Sequence, residues 1–490
     1  MALGIGYGLP FVAQHGTNPY KTQWAAAREG AKGAGAIVED ENAGTGSCLV
    51  ARGQDVYTDG LPFTPSMLIV PQFYKDGNLY QDVPPFVAED STMRFTVSRN
   101  TTATRVDSSG LIESVASGVP RIDWLGQSCP ALLVEASGTN FARWVNQMTA
   151  QDTPTASGGM TITTGSTDFL APDGTSGSIT KYVGGAASGG QYAFYTGGAI
   201  TVTASGQHTF SLFVKCGATN PLTFCALQFV LFAGGSGTSI SYFNLASGTA
   251  LTAGASVEDY GNGWYRLISA PYTIASGDLS GTLIFNMAEG NGDTSWPASG
   301  ALGLTAYTWG AQLEAGSIAT TYIPTTTAAV SRAADDISAS GALVSGLIGQ
   351  TEGTIYAEFV TRVTAGTAAK RVLTISNGDD GNRISIGKAA DDSLVGLILT
   401  GGVTQALIST AANQSGTFKM ALAFQANDAV LYINGVQIGT DNSVTMPTGF
   451  NRIDLGQNAG NASQFNDRIR AAALYTTRLS NDQLAELTRL

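Results

Sequence analysis

The sequence predicts a mostly all-β protein, with two tandem antiparallel β-sandwiches behind a small N-terminal region. Three observations carry that expectation. Gly fills 61 positions and charged residues make up only 13%, a composition of short strands and tight turns, because Gly supplies the positive φ that such turns need. Apolar and polar residues alternate with period two through most of the chain after Met93, as a half-buried strand requires. Gly, Ser, Thr and Asn clusters cut those runs at short spacing and leave little room for helices.

Taken in order, the first 88 residues hold the longest helix-compatible stretch, "NPYKTQWAAAREGAKGAGAI", which dissolves into Gly, and then short apolar runs broken by Pro and Gly. "VPPFVAEDST" is an extended connector, since consecutive prolines favour polyproline geometry and cannot donate to a ladder. Residues 89–145 form a β block in which Phe95, Val97 and Val106 alternate with polar neighbours and "DSSG" makes a turn. Residues 146–330 carry eight or so strands, among them "QYAFYT", "HTFSLFVKC", "LTFCALQFVLF", "SISYFNL" and "GWYRLISAPYTI", with no helical period between them. That is the pattern of a sandwich or jelly roll. A second sandwich spans 331–490, where Asn434-Gly435 in "YINGVQIG" is a type I′ hairpin signal. Only "LSNDQLAELTRL" reads as a helix, with Ser480 as its cap and Leu484 and Leu487 on one face.

Charge and cysteine usage exclude several classes of function. A formal net charge of -12 argues against a non-specific grip on nucleic-acid phosphates or an anionic membrane. Cys48, Cys129, Cys216 and Cys225 lack metal-finger spacing and have only His15 and His208 for company, so neither a zinc site nor a Cys/His nucleophile is expected. The first residues lack a basic stretch followed by an unbroken apolar core, and no segment reaches the ~20 apolar residues of a membrane span. The chain is expected to be a soluble product of the cytoplasm in which it is made.

Bond chemistry is not expected either. Glycoside hydrolysis needs two carboxylates about 5–10 Å apart, yet Glu113, Asp123, Glu135, Glu258, Asp259, Glu289, Asp293, Glu314, Glu352 and Glu358 show no close pair on alternating strand positions. No nucleophile elbow accompanies His208, and the Gly-x-Gly-x-Gly run in "MALGIGYG" lacks the flanking strand and helix of a phosphate cradle. Two oxygen-rich stretches, "SNGDDGN" with Asp379 and Asp380 and "EGNGDTSW" with Asp293, have the donors Ca²⁺ accepts but not the order of a loop that wraps one ion. Turn chemistry accounts for both, so no cofactor is expected, with Ca²⁺ as the alternative.

Several stretches resemble tailed-phage fibre and tail-type structural proteins. "FTVSRNTTATRVDSSGLIESVASGVPRIDW" followed by "ALLVEASGTN" is similar to the linker block that recurs in them, loosely at Arg99 and Thr102–Thr104, closely at Gly110–Glu113, Pro120–Asp123 and Leu132–Asn140. "GNGWYRL" and "WGAQLEAGSIATTYIPTTTAAVSRAADD" resemble the end of a carbohydrate-binding-module-like jelly roll. "KMALAFQANDAVLYINGVQIGT" and "RIRAAALYTTRLSNDQLAELT" resemble a concanavalin-A-like, laminin-G-type sandwich. Together these cover Met93 to Leu490, about four-fifths of the chain.

The resemblance implies a virion protein: residues 1–88 dock onto other virion proteins, the sandwiches adhere to host cell-surface polysaccharide without catalysis, and three copies associate. A glycan depolymerase and a head-fibre or capsid decoration protein are the alternatives. Sugar binding uses stacking aromatics, so the candidates are Trp264, Tyr265, Trp296 and Trp309 in the first sandwich and Tyr356, Tyr432 and Asn434 in the second. Trp296 is expected to be exposed, because "GDTSWPASG" offers little core to bury it. Trp264 and Tyr265 are open to two readings, a plug for a sandwich of small residues or a stacking platform, while Trp309, alternating with Tyr307, reads rather as core.

Overall fold

The computed structural model describes residues 65–71, 74–75, 78–80, 94–126, 130–143, 157–194, 199–232, 238–363, 368–460 and 462–490. Cys48, Cys129, His15 and most of the expected docking region 1–88 lie outside them. The fold is mostly β and its ladders are antiparallel, as the alternation predicts. The chain divides into two compact units. A terminal unit comprises Met1–Asn100, Ala116–Ala136 and Ala334–Leu490, and a central unit comprises Thr101–Val115 and Ser137–Ala333. The block 89–145 is thereby shared: its hairpin Ala103–Val106/Ile112–Val115 belongs to the central unit, and strands Arg121–Asp123 and Ala131–Val134 to the terminal one.

Among the described residues the terminal unit has an eight-stranded and a nine-stranded sheet. Period two decides what each strand buries: Ile355, Ala357 and Phe359 of strand Glu352–Thr361 enter the core with Leu422, Leu431, Leu373, Ile375 and Ile384, while Tyr356 between them faces the other way. That second face is covered as well. Tyr356, Ala421, Val430 and Tyr432 pack with Leu484 and Leu487 of helix Asn481–Leu487, whose Ser480 cap accepts from the Gln483 backbone N–H while the Gln483 side chain accepts from Ser480. Strands Met67–Ile69 and Asn78–Tyr80, expected as part of an N-terminal region, pair here with Asp467–Tyr475 and Arg94–Ser98.

Residues of the resembled linker motif close this unit through buried charge. Arg121 donates to Glu135 at 2.7 Å and to Asp335, and Asp335 also accepts from Arg99 at 2.8 Å. Burial alone would lower the Arg121 guanidinium, but Asp335 and Glu135 outweigh it and raise it above its ordinary value. Asp335 Oδ2 also takes the Glu135 backbone N–H at 2.9 Å. Nearby in sequence, buried Asp123 holds Arg468 at 2.6 Å.

The central unit is a sandwich of two sheets. One runs in the order Thr161–Ser166, Ile179–Val183, Thr305–Ala315, Gly206–Cys216, Trp264–Ile268, Ser256–Asp259; the other runs Thr249–Ala250, Thr238–Asn244, Phe224–Val230, Ser280–Ala288, Gly189–Phe194, Ser295–Trp296. Between them Tyr182 meets Phe285 at 5.1 Å and Phe210 meets Phe229 at 6.3 Å. The outer face of the first sheet is capped, which explains the run Trp264-Tyr265-Arg266. Leu267 sits opposite Leu212 in the core, and Arg266 opposite Phe213 on the outer side, where Trp309, Tyr322, Tyr260 and the Arg266 guanidinium surround the Phe213 ring at 4.8–5.9 Å. Gly310 allows this crowding: its φ is +62°, and an added Cβ would lie 2.9 Å from the Phe213 ring.

A polar clasp seals the cap. Asn140 spends both ends of its amide, donating to the Ala311 and Ile323 carbonyls and accepting from Ala142 and Leu313. Buried Glu314 accepts from Gln312 at 2.5 Å and from the Thr320 backbone and hydroxyl at 2.8 and 2.6 Å. Burial holds its carboxyl above the ordinary value of 4.5, against the lowering pull of Thr320, Arg266 and Gln312. A carboxyl raised in the folded state binds its proton more tightly there, so its contribution is full below 4.5 and is lost as pH rises through the folded value. Glu314→Gln is isosteric and satisfies the same partners if its amide donates to the Thr320 hydroxyl. Denaturant melts should place the variant level with the parent at acid pH and above it at neutral pH; a gap independent of pH would show that the carboxyl does not titrate as described.

Candidate functional site

The second sheet of the central unit differs from the first in what its outer face carries. Because Phe229 and Phe285 point between the sheets, their alternates on the same strands point outward. The register then aligns Tyr192, Asn286, Ala226 and Tyr242 in one row across four strands. Three strand spacings of about 4.8 Å separate the two tyrosines by roughly 14 Å. Both are half-buried, whereas Ala226 and Asn286 between them are 0% and 3% exposed. Small Ala226 and buried Asn286 thus form a floor, and the phenol rings stand at its two sides.

The next outward row adds Gln228 between Ile240 and Ile284. Asn286 Nδ2 donates to Gln228 Oε1 at 3.2 Å, which leaves the other end of each amide, one acceptor and one donor, for a ligand. Gly190 shares the tyrosine side of its strand, and an added Cβ there would lie 2.9 Å from the Tyr192 ring, so the ring position depends on Gly at 190. The Tyr242 phenol is raised above its ordinary value, first by burial and then by the negative charge of Asp293. Aromatic faces, apolar isoleucines and an amide pair without any formal charge suit a neutral, hydroxyl-rich ligand whose C–H faces stack and whose hydroxyls bond.

The aromatics expected from the sequence stand elsewhere. Trp264 and Trp309 are 2% and 1% exposed; the Trp264 indole donates to the Leu170 carbonyl and Trp309 lies 4.5 Å from Tyr322, so neither offers a ring face to a sugar. Tyr265, opposite Val214, packs against Gly248. Trp296 is half-buried rather than exposed: its indole donates to the Met287 carbonyl at 2.9 Å, and its pairing with Gly189 turns it away from the side of Gly190 and Tyr192. In the terminal unit Tyr356 and Tyr432 are buried under the last helix, with the Tyr432 hydroxyl on Gln437. Asn434 builds the expected hairpin, with φ +50° and its side chain accepting the Lys419 N–H.

The residues named as alternative Ca²⁺ donors make hydrogen bonds and ion pairs within their own turns. Asp379 accepts from Gly381 and Asn382, Asp380 pairs with Arg383 at 2.5 Å, and Asp293 accepts from Ser295. Among the described residues no three His, Cys, Asp or Glu side chains converge. Several carboxylates considered for catalysis sit in ion pairs: Glu113 with Arg105, Glu135 with Arg121, Glu258 with Arg266 and Glu358 with Arg470. A pocket bordered by Thr104, Ser114, Tyr322 and Arg332 holds about 70 Å³, below the ~300–1,000 Å³ of a small-molecule site and enough only for a few waters.

Sequence reasoning missed Tyr192 and Tyr242. "SISYFNL" held a local signal, since Ile240, Tyr242 and Asn244 alternate with Ser241 and Phe243, but nothing local says that Tyr192 lies in the same row.

No protein-family model matches the chain, and no curated protein matches it in sequence. Among solved structures it is similar to the IT-sialidase CBM40 of Ruminococcus gnavus, at 19% identity over 29% of this chain and 84% of that one, with a TM-score of 0.25. It is also similar to a leech intramolecular trans-sialidase, at 18% identity over 29% of this chain and 23% of that one, TM-score 0.25. A SAP-like pentraxin of Limulus polyphemus follows, at 14% identity over 28% and 69%, TM-score 0.22. Likenesses this partial carry no functional inference for the chain.

Proposed function

We propose that the protein is a non-catalytic adhesin of a tailed-phage or phage-like virion, a fibre or spike component that takes host surface glycan on the outer face bearing Tyr192 and Tyr242. The virion assignment is supported by the sequence resemblance of the block from Phe95 to Asn140. The adhesive role is supported by one observation above the rest: two half-buried tyrosines flank an amide pair on a sheet face without formal charge. The N-terminal region, residues 1–88, docks onto the particle in this reading, and three copies associate, so that weak single-site affinities multiply.

Binding of the full chain to host cells and to isolated surface polysaccharide, with reducing-end release measured in parallel, tests the reading. Tyr192→Ala and Tyr242→Ala should each weaken binding about tenfold, the equivalent of ~1.4 kcal/mol, with the far-UV circular dichroism of the folded protein retained, because neither ring fills the space between the sheets. New reducing ends would make the protein a depolymerase. Binding that survives both substitutions would move the site off this face.

A further inference from the structure

Resting on the adhesive reading above, we propose that this face selects uncharged glycan and excludes acidic saccharides. The sequence contains no Asp, Glu, Lys or Arg from Tyr182 to Val214, from Cys216 to Val257, or from Leu279 to Ala288. Those three spans supply Gly189–Phe194, Phe224–Val230, Thr238–Asn244 and Ser280–Ala288, which carry the tyrosine row and the Gln228 row.

The cations of the central unit stand elsewhere. Arg105 pairs with Glu113 on the hairpin, and Lys181 with Asp168 beside the first sheet. Lys215 reaches the Asn262 carbonyl, and Arg266 lies under the cap against Glu258. Arg332 is buried on the strand paired with Gly138–Asn140, and Arg143 follows that strand beyond Phe141, whose ring lies 6.2 Å from His208 of the first sheet.

The charges that do border the face are negative. Glu289 and Asp293 lie in the turn that leaves strand Ser280–Ala288, where both the Glu289 and Gly290 backbone N–H groups bond the Asp293 carbonyl, and the Asp293 charge reaches Tyr242. A saccharide carboxylate or sulfate settling between the tyrosines would lose water, find no Lys or Arg on the strands of the face and lie near the acidic turn that holds Glu289 and Asp293, all of which disfavour it. A neutral sugar has no such cost, because its hydroxyls exchange water for the Asn286 and Gln228 amides.

Titration of the full chain with a panel of bacterial surface polysaccharides, each acidic member beside its carboxyl-reduced form, separates the outcomes. Each reduced form should bind at least tenfold tighter than its acidic parent at low salt, with the gap narrowing as salt screens the border carboxylates. Glu289→Gln combined with Asp293→Asn should narrow the gap and leave neutral affinity unchanged. Acidic members binding as tightly as their reduced forms, or more tightly with affinity falling as salt rises, would overturn the selectivity while leaving adhesion intact. Absence of binding by every member would overturn both.

Discussion

Replacing Arg121 with Met should destabilise the terminal unit by about 3–5 kcal/mol, the cost of removing one partner from a buried ion pair. Glu135 and Asp335 both end on the Arg121 guanidinium, and both are almost wholly enclosed. Without it Glu135 loses its 2.7 Å partner, and Asp335 loses one of the two guanidinium groups that neutralise it, the other being Arg99. The loss is one of uncompensated charge rather than volume, since Met fills similar space. Arg121→Lys should recover only part of it, because an ammonium cannot reach two carboxylates as a planar fork does. Urea melts followed by tryptophan fluorescence and far-UV circular dichroism measure this. A loss under ~1 kcal/mol for Arg121→Met would mean that water reaches the cluster and that the carboxylates need no buried counter-charge.

The second large effect is expected at Trp309. Truncation to Ala removes the largest fully buried side chain from the group around Phe213 and Tyr322, and large-to-small changes of this kind cost about 3–5 kcal/mol. Trp309→Phe should cost far less. It keeps much of the apolar contact and removes an indole N–H that is buried without a hydrogen-bond partner, a group that is itself a penalty in the folded state. Glycan binding by the Phe variant should match the parent at temperatures where both are folded. A selective loss of binding with stability intact would return Trp309 to the site and contradict its burial.

What could be read from the sequence was whatever depends on neighbours along the chain. The strands follow from alternation, the Asn434-Gly435 hairpin from its need for positive φ, and the last helix from a Ser480 cap with Leu484 and Leu487 three residues apart. The candidate site was not legible in this way. Trp264 and Trp309 sit on strands whose second face could have been open; Trp264 is covered by the Leu170 carbonyl from 94 positions away, and Trp309 by Tyr322 on the segment that folds back after its strand. Tyr192, Ala226, Tyr242 and Asn286 become one row only through a strand order that departs from chain order.

By itself, then, the sequence determined the β class, the places of many turns and the absence of charge along the strands of the outer face, since these are properties of composition and short-range spacing. Tertiary structure decided which aromatics are covered, that Arg121 and Asp335 share one buried cluster across 214 positions, and that two tyrosines fifty positions apart flank one amide pair. The physical reason is that period two assigns each side chain to a face, but only pairing register and long-range cover decide which face meets solvent and which residues become neighbours there.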